Sequence, residues 1–484
     1  MREDWTECCF EDILDYEQPT KYIVNSTNYN DAYEMPVLTA GKSFIKGYTN
    51  ETEGIFANLP TIIFDDFTTA SQYVDFKFKV KSSAMKILVP TSKLVNMRFA
   101  FYCMQVNQIR NDTHKRYWIS VYAKKKFLLP SLVEQKAIIS KIEELFSDLE
   151  KGIDDLKKAK DQLVIYRQAV LKKAFEGELT KEWREKKINL PSADELIEQI
   201  KVEREKHYKQ QIEDWKKVVK VWEQNGEKGL KPIKPKSLKL VNSLKEDDIK
   251  KLIPIPKVWK YHYLAYAGDL GRGKSKHRPR NDKRLFGGPY PFFQTSEVKA
   301  QEIISSYTQT YSEFGLKQSK LWPAGTLCIT IAANIAETGF LGIDACFPDS
   351  IVGYTPYESI IDIKYIDYFF QSAKRRISAY APATAQKNIN LTTLENLLIP
   401  YCSKNEQGQV VKEIESRLSI CEKVEQSINE SLEKAKALRQ SILKKAFEGK
   451  LLSAAEIARC KQEKDYEPAA DLLAKIKAEK KNKK

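Results

Sequence analysis

One stretch of this chain is written twice, and no other feature restricts its fold as much. Residues 166–180 read YRQAVLKKAFEGELT and residues 438–452 read LRQSILKKAFEGKLL. Their shared core, Leu171 to Gly177, returns 272 positions later as Leu443 to Gly449. The same offset holds at Glu134-Gln135 and Glu406-Gln407, so 134–177 and 406–449 are matched 44-residue segments without a proline. A repeat decides architecture before local propensity does, and a period this long marks a duplicated half-protein rather than a solenoid unit.

Both copies read as long helices. In the first, Ile142, Leu149, Leu156, Leu163 and Val170 recur every seven residues, and Ile138 and Leu145 add the intervening steps of a coiled-coil seam. In the second, Ile414, Leu418, Cys421, Val424, Ile428, Leu438 and Ile442 take that role. Lys, Glu, Asp, Ser and Gln fill the other positions, and Gly177 and Gly449 stand where C-caps belong. At ~1.5 Å per residue each helix spans roughly 66 Å, the length of a spacer. A stalk that only dimerises satisfies this pattern. So do two stalks of one chain packed antiparallel, each pair of ends carrying a globular unit.

The 484 residues, 42% of them hydrophobic, suffice for two to four domains with cores. Lys and Arg outnumber Asp and Glu by 80 to 65, a formal +15, which favours a polyanionic partner such as nucleic acid. The eight cysteines form no CxxC and no cluster with histidine, which argues against zinc and for a reducing cytosol. The N-terminus lacks a signal-peptide apolar run and no stretch of 18 apolar residues occurs, so the expected location is cytoplasmic, with no membrane partner.

In chain order, 1–133 alternates short β-like runs with turns: MPVLTAG (35–41), TIIFDDF (61–67), YVDFKFKV (73–80), MKILVP (85–90) and YWISVYAKKKFLLP (117–130). The first long helix occupies 134–177. A charged helical connector and a basic, proline-broken linker fill 178–254, the linker being KPIKPKSLKL. Leu196, Ile200 and Glu203 of the connector reappear as Leu472, Ile476 and Glu479, so the repeat outruns the long helices. A second β-rich domain covers 255–403, a second long helix 404–449, and a basic tail 450–484. YPFFQTSEV (290–298) answers YEMPVLTAGK (33–42), and LWPAGTLCITIAA (321–333) answers NLPTIIFDDFTTA (58–70). AQKNINLT (385–392) answers THKRYWIS (113–120). The framework repeats while the loops differ.

GDLGRGKS (268–275) fits the phosphate-loop expression through Gly268, Gly273, Lys274 and Ser275. That loop needs a helix after it, and Pro279 and Gly287-Gly288 deny one. The better reading is a mobile basic loop. Lys274, Lys276, His277, Arg278, Arg280, Lys283 and Arg284 are suited to DNA phosphates, and arginine can also fork onto guanine O6 and N7. A plain solvated loop is the competing reading. In the first domain the candidate DNA contacts are Lys42, Thr68, Thr69, Ser71, Gln72, His114, Lys115 and Arg116, expected in polar loops between strands. The second-domain counterparts are Gln294, Thr295, Gln386, Lys387 and Asn388. No catalytic residue is expected: His114, His207, His262 and His277 stand far apart, and no amino-methylation, nuclease or cofactor-loop motif is present. Asp65-Asp66 reads as framework rather than metal ligand.

A variable domain, a helix ending RQAVLKKAFEGELT, a second variable domain and a helix ending RQSILKKAFEGKLL together resemble the specificity (S) subunit of Type I restriction–modification enzymes. The Pro130…Glu134-Gln135 and Pro400…Glu406-Gln407 junctions, YPFFQTSEV and TAQKNIN are similar to that family's domain boundaries and target-recognition segments. The resemblance covers essentially the whole chain. It implies an α+β fold, with two β-rich mixed target-recognition domains separated by two long antiparallel coiled-coil helices in a pseudo-twofold internal repeat. It further implies a non-catalytic chain that binds double-stranded DNA, each domain reading half of a bipartite, asymmetric target. The helices would set the spacer and dock two methyltransferase (M) subunits. No cofactor is expected in this chain: S-adenosylmethionine belongs to the methyltransferase partner, and ATP and magnesium to restriction (R) subunits where the host has them. The first domain departs from the pattern in being shorter and lacking the basic loop. A coiled-coil DNA-binding scaffold or repressor without a methyltransferase, and a P-loop enzyme, are the alternatives.

Overall fold

The computed structural model describes the chain except Met1, Lys42, 108–115, 228–230, Lys236, 239–243, 245–251, 300–302, Ala333, 380–388 and Lys484. Of the candidate contacts, Lys42, His114, Lys115, Gln386, Lys387 and Asn388 therefore lie outside the described residues.

The first domain runs β1 (Thr6–Cys9), α1 (Phe10–Ile13), β2 (Leu14–Glu17), β3 (Met35–Leu38), β4 (Ile45–Thr49), β5 (Thr61–Asp65), β6 (Ser71–Val74), β7 (Lys79–Val80), β8 (Met85–Pro90), α2 (Met97–Val106) and β9 (Lys126–Leu129). Then come the long helix α3 (Leu132–Phe175), α4 (Lys181–Glu185) and α5 (Ala193–Gln224). The second domain runs β10 (Lys260–Tyr263), β11 (Gly268–Arg272), β12 (Phe286–Phe292), β13 (Ile303–Ile304), β14 (Gln309–Tyr311), α6 (Glu313–Lys317), β15 (Leu327–Thr330), β16 (Thr338–Leu341), β17 (Ile351–Pro356), α7 (Ile363–Ala379), α8 (Leu391–Glu395) and β18 (Leu398–Tyr401). The long helix α9 (Lys404–Phe447), α10 (Ala454–Gln462) and α11 (Ala469–Lys483) close the chain.

Contacts divide the molecule into two compact units, Met1–Ala159 with Ser427–Lys484, and Lys160–Gln426. In the first, β2-β8-β5-β6 form an antiparallel sheet, and β4-β3-β7 form a smaller one. Successive side chains of a strand point to opposite faces. Accordingly Ile62 and Phe64 of β5 enter one core with Leu88, Phe99 and Trp118, while Ile63 enters another with Val74, Phe78 and Ile87. Both faces are covered, which is why TIIFD reads as an unbroken apolar run. The first core also takes Ile138, Ile142 and Phe146 of α3, Ile442, Leu443 and Ala446 of α9, and Leu472, Leu473 and Ile476 of α11. Arg439 of α9 pairs with Glu150 of α3 at 3.1 Å and covers the Phe146 ring at 4.4 Å.

In the second unit the sheet order is β11-β17-β15-β16-β13, the first unit's order with a parallel strand added. Leu171, Ala174 and Phe175 of α3 pack with Val410, Val411 and Ile414 of α9, Leu196 and Ile200 of α5, and Tyr365, Phe369 and Phe370 of α7. Within each unit the early part of one long helix meets the late part of the other, so the pair is antiparallel. The fold is α+β: two β-rich domains of like topology, each seated on such a pair.

The matched residues play matched parts. Gln135 donates to the Pro130 carbonyl at 2.9 Å and Gln407 to the Cys402 carbonyl at 2.8 Å, tying each helix start to the preceding domain. Ser131 and Ser403 accept from the Glu134 and Glu406 amides at 3.3 Å; α3 begins two residues before the expected 134, and α9 begins at Lys404. Each helix ends two residues before its glycine. Gly177 and Gly449 have φ of 75° and 71°, with Glu178 N bonded to Lys173 O at 3.0 Å and Lys450 N to Lys445 O at 2.8 Å, the Schellman arrangement.

Two expectations are corrected. Val424 and Leu438 are exposed rather than seam residues: the buried stripe of α9 is Ile414, Cys421, Ile428, Ala435 and Ile442, and beside Val424 it is half-buried Glu425 that faces α3. The start of YWISVYAKKKFLLP is no strand: Trp118–Tyr122 forms a π-helical turn, anchored where the Trp118 amide donates to Asp66 Oδ1 at 2.8 Å.

Candidate nucleic-acid interface

The glycines of GDLGRGKS serve packing. A Cβ on Gly268 would lie 2.6 Å from the Tyr354 ring, one on Gly271 2.5 Å from Trp322, and one on Gly273 2.2 Å from the Pro348 carbonyl. Gly268–Arg272 is strand β11, paired with β17, so these glycines let aromatic rings lie against the sheet. The next helical element is a single 3-10 turn at Lys283–Leu285, too short to offer amides that could hold phosphates.

The basic stretch after β11 is more constrained than the mobile loop expected from its composition. His277 Nε2 and Asp282 Oδ2 are 2.7 Å apart, and Arg284 donates to Asp282 through Nε at 3.2 Å, Nη2 at 2.7 Å and its amide at 3.0 Å. The Arg284 guanidinium covers the Phe314 ring at 5.1 Å, and the His277 ring meets the same phenyl edge-on at 5.2 Å. Arg280 Nη2 sits 3.1 Å from both Asp349 oxygens. Arg278 donates to the carbonyls of Ser275 and His277 at 2.7 and 2.8 Å. Among the described residues no carboxylate pairs with exposed Lys274, Lys276 or Lys283. The Arg284 hydrogen bonds hold the Asp282 carboxyl well below the usual range, and Asp282 in turn raises Arg284.

The ribbon β12·β14 carries this cluster. Phe292 stacks on Tyr311 at 4.1 Å, and the Ser312 hydroxyl donates to the Arg284 carbonyl at 2.5 Å. Along the same ribbon, exposed Gln294 donates to Gln309 Oε1 at 3.0 Å, and Thr295 opens a 3-10 turn. Gln294 and Thr295 thus flank one end of this ribbon, by Gln309, and Arg284 the other, by Ser312.

In the first domain Asp66 joins two loops: its carbonyl accepts from Tyr117 at 2.9 Å while its carboxylate holds Trp118. Exposed Thr68 and Arg116 lie on those adjoining loops, the Thr68 amide donating to Asp65 Oδ1 at 2.9 Å. Thr69 lies in the loop between β5 and β6 as expected but is only 2% exposed, while Ser71, 6% exposed, is corrected to the interior, in β6. Ser71 opens β6, where its hydroxyl accepts from Gln105 at 3.0 Å, and Gln72 is half-buried beside it.

Sequence reasoning missed Asp282, Phe314, Asp349 and Lys320. Lys320 lies over Trp322 at 3.4 Å, and burial, then nearby Lys274, lowers its pKa. The NDKR run, an Asp two residues before an Arg, was the legible sign of the Asp282–Arg284 pair. Among the described residues no group of three or more His, Cys, Asp or Glu could hold a metal ion, and no helix is long and apolar enough to cross a membrane.

The Type I restriction modification DNA specificity domain matches residues 2–158 and again 265–434, more than half of the chain. The chain belongs to this family. It is 41% identical over 186 residues to the EcoR124I/EcoR124II specificity subunit of Escherichia coli, 36% of this chain and 45% of that one. It is 24% identical over 361 residues to the E. coli EcoBI specificity subunit, 72% of this chain and 64% of that one. These matches span less than two thirds of those relatives' length. A chain from a structure of complex assembly and conformational transition in the type I R-M system aligns with TM-score 0.60 at 14% identity, covering 93% of this chain and 99% of that one. The HsdS subunit of Thermoanaerobacter tengcongensis aligns with TM-score 0.53 at 14% identity, covering 93% and 98%. At that identity both show the fold alone.

Proposed function

We propose that this chain is the DNA sequence-specificity subunit of a Type I restriction–modification complex, without catalysis of its own. Each β-rich domain reads one half of a bipartite, asymmetric double-stranded target. One observation carries the reading: the strand order β2-β8-β5-β6 returns as β11-β17-β15-β16, while the loops on the two frameworks differ. Like scaffolds with unlike loops suit two readers of unlike words. The matched surfaces of α3 and α9 dock two methyltransferase subunits, which bring S-adenosylmethionine and adenine-N6 chemistry. Restriction subunits, where the host has them, bring ATP and magnesium. The complex works in the cytoplasm, and its affinity comes largely from phosphates and falls with salt.

The test is to map methylated adenines in a host carrying this chain with its methyltransferase, then to exchange residues 255–403 for the equivalent domain of a relative. One half of the target should change and the other stay. If no 2:1 methyltransferase complex forms and no adenine is methylated, a DNA-binding scaffold or repressor is the better description. The helices set the unread gap: four residues inserted within 134–177 add ~6 Å, or about two base pairs. A gap that stays the same length would show that they do not.

A further inference from the structure

A guanidinium has two hydrogen-bonding edges and five N–H donors in a rigid plane. In Arg284 one edge is occupied: Nε and Nη2 both reach the Asp282 carboxylate, whose other tie is to His277. One face is covered by Phe314. Nη1 has no protein partner among the described residues, on a side chain 69% exposed. The free edge is therefore held in place before any ligand arrives, with no rotamer search left to make.

Such an edge matches two coplanar acceptors, and on DNA these are either guanine O6 and N7 or two phosphate oxygens. The charge balance separates them. Asp282 offsets part of the Arg284 charge locally, which weakens attraction to a phosphate while leaving the directional fork intact. Lys274, Lys276 and Lys283 keep their charge and need no orientation to meet phosphates. We propose that Arg284 reads a guanine in the target half recognised by the second domain, and that Asp282 and Phe314 are its positioning residues. Arg280, whose single Nη2 touches Asp349, lacks that two-atom grip.

The inference rests on the DNA-reading function proposed for the chain and deepens it. The experiment uses the full chain with its methyltransferase partners, its methylated target duplex, and a set of single-base substitutions of that duplex. Arg284→Lys keeps the charge but cannot fork. It should weaken native-target binding about 5- to 150-fold, the range for one bidentate base contact. It should leave the duplex lacking one particular guanine nearly unaffected, so that discrimination disappears at that position alone. Asp282→Asn should give the same positional signature, more mildly, with an unchanged thermal midpoint as the folding control. A loss equal on all duplexes would make Arg284 a phosphate contact and overturn the proposal. So would unchanged binding throughout. If the wild-type complex itself fails to distinguish the duplexes, the DNA-reading function fails instead.

Discussion

Arg167 of α3 meets Glu425 of α9 at 2.9 Å, across 258 residues of sequence. The pair occupies the seam where an apolar residue would pack, and Lys160 approaches the same carboxylate at 3.6 Å. A charge inside a seam adds little stability but penalises other registers. Both partners are about a third exposed, so Arg167→Ala should cost less than ~1 kcal/mol. Ile414→Ala, in the fully buried part of the same seam, should cost about 2–5 kcal/mol. Urea midpoints of the two variants decide this, and equal losses would mean the ion pair bears more than its exposure suggests.

Glu406 is the opposite case. Its buried carboxylate meets Arg184 at 3.4 Å and the Thr180 hydroxyl at 2.9 Å, and Glu134 meets Arg2 at 2.9 Å in the other unit. Arg184→Ala strands a buried charge and should cost about 3–5 kcal/mol. Adding Glu406→Gln should restore part of that loss; a double variant no better than the single one would sink the account.

Two glycines should respond oppositely to alanine. Gly152 lies inside α3 with nothing within 4 Å of a new Cβ, so Gly152→Ala should stabilise by roughly 0.5–1 kcal/mol. Gly177 has φ of 75°, and its Cβ would stand 2.4 Å from Pro256 Cγ, so Gly177→Ala should destabilise. Thermal midpoints moving in the same direction would contradict this.

These residues also show how far the sequence reached. The doubled helices, their glycine ends and the two β-rich domains were visible because repetition and periodicity survive without knowledge of contacts. Val424 misled because it is apolar at nearly the right spacing, while Glu425, one residue on, holds the seam through a partner far along the chain. Thr69 and Ser71 misled because polar turn residues look exposed until β6 and Gln105 enclose them. The Asp282–Arg284–Phe314 cluster needed β14 and α6 folded back on the basic stretch, a tertiary fact.

His262 supplies a pH prediction. It stacks on Tyr266 at 4.0 Å, and burial, then Arg204 and Lys260, brings its pKa down to about 4. The unfolded chain, with a histidine pKa near ~6.5, then binds more protons than the folded one between these values. Stability should be complete above pH ~6.5 and fall as pH drops toward 4. Denaturation at pH 7 and 5 should show the loss, and His262→Phe should reduce it. A variant with undiminished pH dependence would assign the effect to other groups.

The pairs β1·β9 and β10·β18 place the first and last strands of each domain side by side, Thr6 opposite Leu129 and Lys260 opposite Tyr401. Entry and exit share one narrow doorway, so a whole lobe can be cut out and replaced through two neighbouring joints. Genetic recombination between relatives can therefore exchange a whole lobe in one step, and on the proposed function that single event would replace half of what the protein reads.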